Sequence, residues 1–227
     1  MKQVLIIAFI AIVAWGNMAA KSGAASLHPK TDKHGFYNIL DCPTTLSFIK
    51  ATTEEQNDGS YNVTIYRGRD VSQTFYIEDV TSGDLYYLDA NFDGSIDILV
   101  GPATSRNYST ILLWDDEIGE FVPMEGDYLN GNFLVNPSKK LLVGQGSASY
   151  CSEYYTRYIW NGNRLVPTEI LIEINDPKAY KEYGVKRRYT IVKGDNLDNI
   201  AGNKKFETNK KSKLPAEWRT ILDSYGM

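Results

Sequence analysis

From residue 44 to residue 174 apolar and polar side chains alternate in short runs, and turn-forming residues separate the runs. "YNVTIYRG" and "QTFYIEDV" place apolar groups at every second position, which puts them on one face of an extended chain. "YYTRYIW" and "RLVPTEILIEI" flank "NGN", a strong signal for a two-residue hairpin. No segment of this span holds a helical period. The 16 tyrosines, against 8 phenylalanines, favour strands as well. The predicted fold is mainly β and antiparallel, a propeller-like or sandwich arrangement of short strands.

One pattern occurs twice. "LLWDDEIGEFVP" and "YIWNGNRLVP" each carry a Trp before the turn, Trp114 and Trp160, and each ends in Val-Pro. The offset of 44 to 46 residues falls in the range of one propeller blade. Two ordinary hairpins would produce the same pattern.

The two ends differ in character. Lys2 precedes a nearly unbroken apolar run, Val4 to Trp15, and "GNMAAKSGAAS" follows with small residues. Residues 1–20 read as a signal peptide cleaved after Ala20, or after Ala25, because the run is shorter than the ~20 residues that span a bilayer. The mature chain is expected in the periplasm or outside the cell. Residues 21–43 read as a flexible lead-in, 44–175 as the β domain, and 176–227 as a Lys- and Gly-richer extension. "LPAEWRTILDSYG" predicts a short C-terminal helix with Trp218, Ile221, Leu222 and Tyr225 on its core-docking side.

An acidic loop carries the sharpest motif. In "YYLDANFDGSIDILVG" Asp89, Asn91 and Asp93 occupy alternate positions, Gly94 follows, and Asp97 closes a span of nine. Three carboxylates this close repel one another unless the turn is well solvated or a cation lies among them. A hard cation such as Ca2+ takes six to eight oxygen ligands. Asp89, Asn91, Asp93, Asp97 and the Ser95 carbonyl are the candidate set, with Ca2+ in a structural role. Position twelve is Val100, not the glutamate of a helix-loop-helix site, and the flanks read as strands.

"DANFDGSID" between apolar runs resembles the calcium loops of FG-GAP and VCBS repeats. With "YIWNGNRLVP" and the late "LPAEWRTIL", residues 60–225 resemble a family of periplasmic, VCBS-like calcium-binding proteins. That family includes immunity proteins against lysozyme-like peptidoglycan hydrolases. The resemblance implies a propeller-like fold and inhibition by plugging a hydrolase cleft, but it assigns no inhibitory residues. The best sequence candidate for an exposed contact loop is "GQGSASYCSEYY", with Ser147, Ser149 and Tyr150 able to meet an acidic sugar-binding cleft. Locally, "YTIVKGDNLDNIA" is similar to the first half of a LysM module, which binds peptidoglycan. The closing strand of that module is absent from the pattern.

Several chemistries find little support. The 2 histidines, His28 and His34, both lie in the lead-in, so no histidine base stands in the predicted core. No nucleophile elbow or zinc-protease motif occurs. The net charge of -4 disfavours nucleic acid as the main partner. Cys42 and Cys151, an even pair in an exported chain, are the disulfide candidates. The expected function is that of a non-enzymatic calcium-binding module for a protein partner, such as a lysozyme-like hydrolase. The alternatives are a peptidoglycan-binding envelope protein and a structural, adhesion-type VCBS protein.

Overall fold

The computed structural model describes residues 29–78, 80–101, 108–126, 129–149, 152–175, 187–194 and 203–227. The strands begin with β1 (Tyr37–Asn38), β2 (Lys50–Glu55), β3 (Tyr61–Arg67) and β4 (Asp70–Ile77). Next come β5 (Leu85–Leu88), β6 (Asp97–Val100), β7 (Tyr108–Asp115) and β8 (Glu120–Pro123). Then follow β9 (Leu129–Asn130), β10 (Asn132–Asn136), β11 (Leu141–Ser149) and β12 (Ser152–Asn161). The last are β13 (Arg164–Ile174), β14 (Arg188–Lys193) and β15 (Lys204–Thr208), followed by helix α1 (Ala216–Ser224). Along the strand order of all three sheets the pairings are antiparallel, so the expected mainly β class with a short C-terminal helix is the one observed.

The chain divides into two compact units. Unit 1 contains residues 40–102 and 108–128, and unit 2 contains residues 30–39, 103–107 and 129–227. Unit 1 holds the β2-β3-β4 meander and a sheet ordered β5-β6-β7-β8. Their shared core includes Val63 and Ile65 of β3, Ile98 and Val100 of β6, and Leu112 of β7. Trp114 meets its cross-strand partner Phe121 edge to face, with centroids 5.1 Å apart. All four residues of β6 are buried, which explains why "DILV" reads as a continuous run instead of an alternation.

Unit 2 is built on one seven-stranded sheet ordered β1-β10-β11-β12-β13-β14-β15. Tyr37 and Asn38, in the stretch read as a lead-in, supply its edge strand. Beyond the boundary that composition suggested at residue 175, β14 joins the same sheet by pairing with β13 over six positions. The "NGN" hairpin forms as expected: Asn161 pairs with Arg164, and Gly162 takes the positive φ, 60°, that so tight a turn needs. The two Trp-turn-Pro segments are both hairpins, β7–β8 and β12–β13, in separate sheets.

Helix α1 starts directly after Pro215, which cannot donate an N–H and so suits a helix entrance. Its buried Trp218, Ile221 and Leu222 share a core with Phe36, Val143, Tyr155, Leu171 and Ile191. The Tyr225 hydroxyl donates 2.7 Å to the Val143 carbonyl and also meets that of Asn132. The apolar side of the helix therefore packs at home, as its spacing predicts. Among the described residues no helix is long and apolar enough to cross a membrane.

Candidate functional site

The acidic loop connects β5 to β6 in unit 1, and the Leu88–Asp97 pair closes its base. Asp89 and Ala90 are buried as the chain leaves β5, and Ser95, Ile96 and Asp97 are buried as it returns. Of the loop residues only Asp93 is exposed, so the loop opens to solvent there. Phe92 and Gly94 both take positive φ, 64° and 90°. Glycine does so freely, whereas for an aromatic residue this is an outlier that neighbouring contacts must hold.

Side-chain oxygens inside the loop provide that hold. Asp89 accepts from the backbone N–H of Asp93 at 3.1 Å and of Gly94 at 3.0 Å, one on each carboxylate oxygen. Asn91 Oδ1 also accepts from Asp93 N–H, and Asp93 Oδ1 accepts from Ser95 N–H at 2.7 Å. The Asn91 amide donates to Asp93 Oδ2. Asp97 reaches both ways: Oδ2 accepts from Ala90 N–H at 2.8 Å, and Oδ1 accepts from Trp114 N–H at 2.9 Å. It thereby ties the loop to β7. All the sequence-predicted loop residues thus come together through main-chain hydrogen bonds.

Electrostatically the loop is unbalanced. Asp97 is completely buried, and burial drives its carboxyl well above the ordinary carboxylate range. The bonds from Trp114 and Ala90 oppose that rise, while the nearby charges of Asp93 and Asp89 add to it. Ser95 Oγ is buried and has no hydrogen-bond partner. Among the described residues no group of three or more His, Cys, Asp or Glu side chains forms a metal cage. Any ligand set here also needs the amide oxygen of Asn91 and the carbonyl of Ser95.

The other predicted residues stand as follows. Ser147 lies on β11 with its hydroxyl 3.4 Å from the Ser152 carbonyl, and Ser149 pairs with Ser152 across the β11–β12 hairpin. Tyr150 and Cys151 lie outside the described residues. Cys42 is buried with a free thiol, and its candidate partner Cys151 lies outside the described residues; burial, with the charge of Asp41, pushes the Cys42 thiol up to about 12. His34 closes a turn in which Asp32 accepts from the N–H groups of His34 and Phe36. The LysM-like segment provides β14, an interior strand between β13 and β15, and its residues 195–201 lie outside the description.

A second acidic group escaped the sequence reading. Glu153 and Glu173 are direct cross-strand neighbours on β12 and β13, and the side chain of Glu173 is fully buried. Tyr155 and Gln145 donate to Glu153 Oε2 at 2.8 and 2.9 Å. Arg187 and Asn175 meet Glu173 Oε1 at 3.3 and 3.1 Å. Burial raises the Glu173 carboxyl, and Arg187 offsets part of the rise. The available signal was a lone glutamate inside the apolar run "ILIEI", on the same strand face as the core residue Leu171.

No protein-family model matches the chain, and no curated protein matches it. Among solved structures, a Xanthomonas type IV secretion system related protein aligns with 80% of this chain and 97% of its own. The identity is 15% and the TM-score 0.46.

Proposed function

We propose that this is an exported, non-enzymatic β protein whose 89–97 loop holds a structural Ca2+ ion, and that it binds and inhibits a peptidoglycan hydrolase. The observation that carries the metal reading is Asp97, a fully buried carboxylate whose charged neighbours are two further carboxylates. A divalent cation would convert that repulsion into attraction. The donors are all hard oxygens, as calcium prefers. Asp89, Asn91, Asp93, Asp97 and the Ser95 carbonyl would hold the ion. Oxygens that accept one N–H keep a second lone pair for it; at Asp97 that oxygen is Oδ1, because Oδ2 accepts from both Ala90 and Asn91. Its chemistry there is charge compensation, and the loop's own hydrogen bonds set the shape it binds.

The partner reading rests on the resemblance of the loop, with "YIWNGNRLVP" and "LPAEWRTIL" after it, to VCBS-like immunity proteins. The β11–β12 hairpin, which carries Ser147 and Ser149, is the segment proposed to enter a hydrolase cleft. The deciding experiment measures lysozyme-type cell-wall hydrolysis with purified mature protein, in calcium and in chelator. Dose-dependent inhibition in calcium supports the proposal. A panel of such hydrolases with unchanged rates overturns the partner reading and leaves the metal reading to its own test.

A further inference from the structure

One row of side chains crosses five strands of unit 2, a step beyond the row of Tyr155, Leu171, Ile191 and Phe206. In register it runs Ser147, Glu153, Glu173, Tyr189 and Thr208, from β11 to β15. Its two acids are satisfied unevenly. At Glu153 both donors, Gln145 and Tyr155, meet Oε2. At Glu173 both donors, Arg187 and Asn175, meet Oε1. Each carboxyl keeps one oxygen over. Among the described residues no group donates to Glu153 Oε1, and Glu173 Oε2 is buried with no hydrogen-bond partner. The Glu173 side chain is 0% exposed, so bulk water does not reach it. Arg187 brings one positive charge to two acids, and Lys211, the next cation in range, is held by Asp223 at 2.6 Å. The remaining groups around the pair, Gln145, Ser147, Tyr155, Asn175, Tyr189 and Thr208, are uncharged side chains.

We infer that Glu153 and Glu173 hold one proton between them, and that this proton clasps the end of the β12–β13 pair farthest from its turn. In the clasped form Glu173 is the acid. Its Oε2–H donates to Glu153 Oε1, Glu153 stays ionised, and one negative charge remains opposite Arg187. That single bond satisfies both spare oxygens. Residues directly opposite on neighbouring strands stand about 4.5–5.5 Å apart at Cβ, within reach of two glutamates. Burial assigns the proton to Glu173 and raises its carboxyl, while the two donors on Glu153 favour its charged form. A metal ion would ask for more ligands than two spare oxygens, whereas a proton asks for no more. When the proton leaves to solvent, two like charges face each other and a charged oxygen stays buried without a donor. The strand end then gains by opening to water. The inference is independent of the calcium loop and of a hydrolase, although the row starts on the hairpin that carries Ser147 and Ser149.

The test follows the full mature chain by NMR through a pH series, with isotope label on the glutamate carboxyl carbons alone. Chelator keeps metal from the acidic loop, and the label leaves Asp97 silent. Glu173 should titrate above the ordinary glutamate value of 4.5, and the Glu153 signal should move in the same step, because the proton belongs to both. Glu153→Gln removes the charged acceptor and should bring the Glu173 titration down. Hydrogen-exchange protection at the paired residues Tyr154 and Ile172 reads the strand end itself. In the parent the opening constant should rise about tenfold per pH unit between the titrations of the open and closed forms, the slope of one proton. Glu173→Gln, whose amide can donate as the neutral acid does, should hold that constant level. Ordinary titration of both glutamates overturns the inference. So does a Glu173 titration that Glu153→Gln leaves in place, or protection in the parent that ignores pH.

Discussion

The side chain of Gln73 is hydrogen-bonded twice to the backbone of Phe121, donating to its carbonyl at 2.9 Å and accepting from its N–H at 2.8 Å. Gln73 lies on β4 and Phe121 on β8, in different sheets of unit 1. The amide therefore does what a neighbouring strand would do for the outer edge of β8, satisfying groups that are costly to leave unpaired. Gln73→Ala is expected to destabilise the protein by about 1–3 kcal/mol, because a donor and an acceptor lose their partners together. Urea denaturation reads this as a lower midpoint at unchanged slope.

Calcium should raise the melting temperature of the mature protein, and Asp93→Ala should abolish the rise. An ion that binds only the folded chain stabilises it by about 2.7 kcal/mol at a hundredfold excess over its Kd. Differential scanning calorimetry with and without chelator measures this. Equal melting in both conditions would remove calcium from the account.

The metal-free protein should lose stability as pH rises. The folded-state carboxyl of Asp97 titrates above its unfolded value of 3.8, so its contribution is complete below that value and fades as pH climbs through the folded one. Glu173 is raised as well and acts with the same sign. In chelator, a plot of urea midpoint against pH should fall from the unfolded carboxyl values up through the raised folded ones and level off above them. Asp97→Asn should flatten part of that slope and Glu173→Gln another part, whatever each does to absolute stability. Saturating calcium should flatten the Asp97 part alone.

Arg157 pins α1 to the sheet. Its guanidinium makes a forked contact with Glu217 of the helix at 2.9 and 3.1 Å, reaches Glu169 at 3.2 Å, and lies over the Trp218 ring at 5.8 Å. Arg157→Ala should cost about 1.5–3 kcal/mol, since a partly buried charged hydrogen bond and a stacking contact disappear together. Glu217→Gln should cost less than about 1 kcal/mol, because that carboxylate is half in water. A double-mutant cycle read by urea denaturation isolates the pair.

Much of this architecture was legible in the sequence because local chemistry specified it. The period-two runs gave the strands, "NGN" gave the β12–β13 hairpin, and the spacing of Trp218, Ile221 and Leu222 gave the buried side of α1. The loop from Asp89 to Asp97 declared itself through residue type and spacing. What stayed hidden depends on contacts distant in sequence. Nothing about Tyr37 and Asn38 announces an edge strand until Leu134 and Val135 are beside them. The pairing of Glu153 with Glu173 is a consequence of register, and so is the link from Asp97 to Trp114.

The core of unit 2 contains both Phe36 and Trp218, so it closes only after the long stretch between them has been made. Until then a six-strand meander would present its oily side to whatever is near, a hazard that grows with the time spent waiting. A chain emerging vectorially, Phe36 early and Trp218 late, leaves that side uncovered until α1 arrives, and the helix acts as the latch that closes it.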